Sequence, residues 1–205
     1  MQNPKNLVLN AVNLDGYSSS PGFVGYFERV GKYVNGMAEN AVAHMIEMLS
    51  CDIDEWVLVS SLHANEDEVG RFGDTEADIR DSSLVDFLYA HRALAHFSYR
   101  ARFGTNYESA SYASAIESAL RDLVQVPARS LGIDVVRQLL VARMLVYGLR
   151  GHCFLISMRK GLIFYPHDDT GIGVICFGDM PRMDVALEFL DQSARIEGFR
   201  SVIVK

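Results

Sequence analysis

The residues best suited to proton transfer stand together at His167-Asp168-Asp169, followed by Thr170-Gly171. An imidazole and two carboxylates at the end of a strand project from a fixed scaffold, which suits general acid–base work or metal binding. The same run is also a good turn, because Asp tolerates turn geometry and Gly supplies positive φ. As a site it predicts a hydrolase or transferase, with a cleft beside the turn and other polar groups converging on it. As a turn it predicts a hairpin. No obvious nucleophile accompanies it. Cys153 follows His152, and strand neighbours face opposite sides, so that pair does not meet directly. His167, Asp168 and Asp169 are the only catalytic candidates, and the overall balance leans away from an enzyme.

Other signatures are missing. There is no phosphate loop, no Gly-x-Gly-x-x-Gly and no Gly-x-Ser-x-Gly elbow. There is no His-Glu-x-x-His and no deaminase pattern. Gly171-Ile172-Gly173 reads as two glycines in a turn. His91 and His96 share one expected helix, and five steps separate them by about 140°, too far round to hold one metal together. No cofactor and no metal is expected.

The 205 residues carry 19 basic and 26 acidic side chains, a net charge of −7. Much of that excess is local. Glu66, Asp67, Glu68, Asp74, Glu76, Asp78 and Asp81 face Arg71 and Arg80 within residues 66–81, a net of −5. One alignment resembles a calcium loop, from Asn65 through Asp67 and Gly70 to Glu76. However, Val69 stands where an oxygen ligand belongs, and a strand precedes it. A solvated loop is the plain alternative. Clustered carboxylates also raise encounter rates with a cationic partner and orient it.

Residues 121–160 lean the other way. Seven bases, Arg121, Arg129, Arg137, Arg143, Arg150, Arg159 and Lys160, outnumber Asp122 and Asp134, a net of +5. The two blocks can neutralise each other within the fold or across a homodimer. The acid excess disfavours a nucleic-acid surface. Phe154, Phe164 and Tyr165 read as strand core rather than base-stacking platforms. Tyr17, Phe23, Tyr26, Phe27 and Tyr33 form an aromatic cluster that either packs on the core or makes an interface.

The elements that hold these residues follow from pattern. Residues 7–14 suggest a short strand or an apolar arm, and residues 15–22 a loop. Phe23 to Leu49 suggests a helix, firmest where Met37, Ala41, His44, Met45, Met48 and Leu49 recur at steps of three and four. Residues 55–62 predict a strand. Ser83-x-x-Asp86 opens a helix over residues 84–102, and Thr105-x-x-Glu108 opens another that Pro127 stops. Ile133 to Leu149 predicts a central helix. The apolar stretch from Val135 is about 15 residues, short of the roughly 20 that span a bilayer.

The tail then predicts β-β-β-α-β: Cys153–Met158 and Leu162–Tyr165 as a hairpin, Ile172–Phe177, a helix from Pro181, and a last strand after Gly198. This implies an α+β class, with an N-terminal mainly helical part packed on a largely antiparallel sheet. Residues 1–205 are expected to form a single domain, with a sub-division, if any, near 127–151. Three cysteines without a Cys-x-x-Cys, and an N-terminus too broken for a signal, predict a cytoplasmic location. The leading expectation is a soluble, non-enzymatic, inhibitor- or immunity-like module, binding a basic partner protein through residues 66–81. Behind it stand the hydrolase or transferase at the His-Asp-Asp turn, and a structural or assembly subunit.

Overall fold

The computed structural model describes residues 3–49, 55–65, 82–97, 124–146, 149–167 and 169–204. Its strands are β1 (Phe23–Arg29), β2 (Trp56–Ser60), β3 (His63–Asn65), β4 (Ala95–Phe97), β5 (Val124–Pro127), β6 (Leu149–Arg150), β7 (Cys153–Ser157), β8 (Leu162–His167), β9 (Gly171–Cys176) and β10 (Phe199–Ile203). Its helices are α1 (Pro4–Ala11), α2 (Met37–Leu49), α3 (Ser82–Ala90), α4 (Ala128–Leu131), α5 (Ile133–Leu145) and α6 (Met183–Ser193). Seven strands form one antiparallel sheet in the order β10-β1-β9-β8-β7-β2-β5. A smaller sheet has the order β4-β3-β6. The class is α+β, and the tail runs β7-β8-β9-α6-β10 as its alternation and turns imply.

Alternation along each strand divides the large sheet into two faces. Trp56, Leu58, Leu155, Phe164, Ile172 and Val174 belong to the larger core, with α2, α5 and α6. Helix α5 is central, with Val136, Leu139, Leu140 and Leu145 all buried, so it is apolar on most of its circumference. Val59, Phe154, Ile156, Ile163 and Ile175 face the other way, onto Leu7, Val8 and Val12.

Between β2 and β3, and between β6 and β7, the paired chains change sheets. The Ser61 amide donates to the His152 carbonyl at 2.9 Å, and the His152 amide donates to Ser61 Oγ at 3.0 Å. Gly151 is required here: its φ is +98°, and a Cβ would stand 2.4 Å from the Ser61 carbonyl oxygen.

Three expectations are corrected. Residues 7–14 are not a strand: Pro4–Ala11 is a helix, started by Pro4 in its first turn and by Asn3 Oδ1, which accepts from the Lys5 amide at 2.9 Å. The expected helix over Phe23–Leu49 is a strand followed by a helix. Its first half misleads because β1 carries a bulge, where the pairing with β9 shifts between Phe23 and Gly25. The bulge puts Val24 and Phe27, three apart, into the same core, a spacing that imitates a helix.

The third correction is the helix over 84–102, which ends at Ala90. The Ala93 amide donates back to Leu88 and the Arg92 amide to Tyr89, with Arg92 at φ 55°, so a Schellman motif reverses the chain. His91 then lies in the turn, its Nδ1 2.8 Å from the Phe87 carbonyl, and His96 lies on β4. The two histidines do not share a helix.

The expected helix from Thr105 lies outside the described residues, whereas Pro127 itself ends β5. Among the described residues, no helix is long and apolar enough to cross a membrane.

Candidate functional site

Two glycines on β9 shape the second face of the sheet. Gly173 pairs with Tyr26 on β1 and with Tyr165 on β8, and Gly171 pairs with His167. A Cβ on Gly173 would lie 2.1 Å from the Tyr165 ring, and one on Gly171 would lie 1.9 Å from the Phe27 carbonyl oxygen. With no side chain at these two positions of the intervening strand, the rings of Tyr165 and His167 lie over bare backbone. These glycines are strand residues, not turn residues. The positive φ of the β8–β9 turn falls on Thr170, at 54°. That is a strained conformation for a β-branched residue.

Beside this turn opens a cleft of about 280 Å³. Tyr26 and Glu28 enter it from β1, Tyr165 and His167 from β8, and Asp169 from the turn. Tyr17 and Ser18 close its other side from the segment after α1, with Phe23 from the start of β1. The aromatic cluster of the sequence is therefore divided: Tyr17, Phe23 and Tyr26 line the cleft, while Phe27 is fully buried and Tyr33 packs on the same core. Asp168 lies outside the described residues. So do Glu66, Asp67, Glu68, Asp74, Glu76, Asp78 and Asp81, with Arg71, Arg80 and Cys51.

His167 is held by backbone on both nitrogens. Its Nδ1 accepts from the Asp169 amide at 3.3 Å, so the proton sits on Nε2, which donates to the Phe27 carbonyl at 3.1 Å. Its ring meets that of Tyr26 edge to face, with centroids 5.3 Å apart. This ring clamps the turn to β1. Glu28 lies across β1–β10 from Arg200, whose Nη2 and Nε donate to Glu28 Oε1 at 2.6 and 2.9 Å. Burial, followed by the neighbouring Tyr26, pushes the Tyr165 phenol upward, so it stays protonated.

One buried titratable couple carried no sequence signal. His152 Nδ1 and the Tyr17 hydroxyl are 2.5 Å apart, although the residues are 135 positions apart. His152 is 6% exposed and stacks on Phe154, and its Nε2 has no partner among the described residues. Burial and, after it, the charge of Arg143 lower it to about 4. Cys153 points to the opposite face, into the larger core, where burial pushes its thiol up to about 12. His152 and Cys153 therefore do not form a nucleophile–base pair.

In the basic block, Arg159 and Lys160 reach Glu55 at 2.5 and 3.8 Å, and Arg137 reaches Asp134 at 3.1 Å. Phe154, Phe164 and Tyr165 are buried strand residues. Among the described residues, no three His, Cys, Asp or Glu side chains are grouped to hold a metal ion. Comparisons with protein-family models, with curated proteins and with solved structures give no match to this chain.

Proposed function

We propose that this protein works by binding rather than by turnover, as an inhibitor- or immunity-like module that covers a basic surface of a partner protein. The observation that carries the reading is the concentration of charge: a net of −5 lies within residues 66–81 of a chain whose net is −7. Such a stretch attracts a cationic partner over a Debye length and makes association salt-sensitive. His167 supports the same reading, because a ring whose two nitrogens serve the backbone has no lone pair left for a substrate proton. Three cysteines, two of them free and buried, suit a reducing cytoplasm.

The test begins with partners captured from the native cell, sorted by charge. Their association rates are then measured against the chain carrying Glu66→Gln, Asp67→Asn, Glu68→Gln and Asp74→Asn. Association with a basic partner is expected to slow, and its salt dependence to flatten. Unchanged rates for every basic partner would remove the reading.

The cleft beside His167 and Asp169 favours a second reading, a hydrolase or transferase at that turn. It predicts substrate turnover that is lost in both His167→Gln and Asp169→Asn.

A further inference from the structure

We propose that the cleft between β1 and β8 is a receptor for a single cationic side chain, an arginine guanidinium or lysine ammonium presented by a partner. Its lining combines two carboxylates, Glu28 and Asp169, with the rings of Tyr17, Phe23, Tyr26 and Tyr165, and includes no lysine or arginine. Aromatic faces carry negative quadrupole charge and attract a cation within about 6 Å. A phosphate or carboxylate would meet repulsion from Asp169, the acid of the lining that Arg200 does not match. Arg200 already grips Glu28 Oε1 with two nitrogens, so the charge of this carboxylate is matched within the fold. Asp169 is exposed at the mouth of the cleft, and among the described residues no base is paired with it. It is the negative charge that remains once Glu28 and Arg200 are matched.

Size points the same way. A cavity of about 280 Å³ lies at the small end of ligand pockets, which run from about 300 to 1,000 Å³. It has room for one side chain. Gly173 lets the Tyr165 wall sit close against the intervening strand, since a Cβ there would stand 2.1 Å from the Tyr165 ring.

The inference rests on the binding reading only in taking the partner to be basic, and it assigns a different surface. The probe is N-acetyl-arginine methylamide, titrated into the full chain and followed by calorimetry and by the resonances of Tyr26 and Tyr165. The matched lysine compound, the neutral citrulline analogue and the glutamate compound serve as comparisons. The arginine compound is expected to bind, with the citrulline analogue at least about tenfold weaker and the glutamate compound silent. Asp169→Asn and Tyr26→Leu should each weaken the arginine compound by about fivefold to tenfold, with unfolding midpoints recorded for both variants. Equal binding of arginine and citrulline compounds, or unmoved cleft resonances at millimolar arginine compound, would overturn the inference.

A hexa-arginine peptide separates the two surfaces. Binding that is lost on neutralising residues 66–81 but unchanged in Asp169→Asn and Tyr26→Leu overturns the cleft and leaves the acidic segment standing. The reverse pattern supports the cleft and removes the segment.

Discussion

Gly173 and Gly171 leave room where any other residue would intrude. At Gly173 the obstacle to a methyl group is the Tyr165 ring, and at Gly171 it is the Phe27 carbonyl oxygen, which cannot turn aside. Gly173→Ala is expected to cost about 1–3 kcal/mol in urea unfolding, and Gly171→Ala more than Gly173→Ala.

The buried His152 makes a pH prediction. Its folded value of about 4 lies below the ordinary 6.5, so the unfolded chain binds more protons between those two values. Stability therefore falls as the pH drops from about 6.5 to about 4, by at most about 3 kcal/mol from this group. His44, also lowered mainly by burial, adds in the same direction. Denaturation midpoints at pH 7 and pH 4.5 should differ less in His152→Gln, whose carbonyl still accepts from Tyr17.

The thiols make a third test at this scale. Burial raises Cys153 to about 12 and Cys176 to about 11. Iodoacetamide at pH 8 should leave both peptides unmodified until the chain unfolds, as read by mass spectrometry.

At the scale of elements, α1 shows how little is needed to start a helix. Asn3 caps it, Pro4 sets its first turn, and Leu7 and Val8 anchor it to the second face of the sheet. Asn3→Ala should lower stability by about 0.5–2 kcal/mol and raise hydrogen exchange across α1. The opposite layer depends on α5, where Leu139 is completely buried. Leu139→Ala should cost about 2–5 kcal/mol.

The elements read well from sequence are those whose own residues settle their form. The β7–β8 hairpin follows from two apolar runs around Arg159-Lys160-Gly161, and α2 from Met37, Ala41 and Met45 at helical steps. Those misread depend on a local irregularity. A bulge between Phe23 and Gly25 gave a strand a period of three, and a left-handed Arg92 stopped α3 where no glycine announced it.

At the scale of the molecule, charge and cleft are separate properties. The asymmetry between residues 66–81 and 121–160 is written in composition. Within the second block, Arg137 pairs with Asp134, and Arg159 and Lys160 pair with Glu55. Self-association between opposite blocks predicts a salt-sensitive dimer. Size-exclusion chromatography at two protein concentrations, in low and high salt, should then show an apparent mass that falls with dilution and with salt. A mass constant under all four conditions removes the homodimer.

By itself the sequence determined the α+β class, the antiparallel tail and the sign and position of the charge, because each depends on residues close together in the chain. It also marked His167 and Asp169 as a turn that can border a cleft. Only the tertiary structure decided what the turn borders. His167 meets Phe27 across 140 positions, and Tyr17 meets His152 across 135. Strand order brings these residues together, and strand order is chosen by the burial of two whole sheet faces, which no local pattern records.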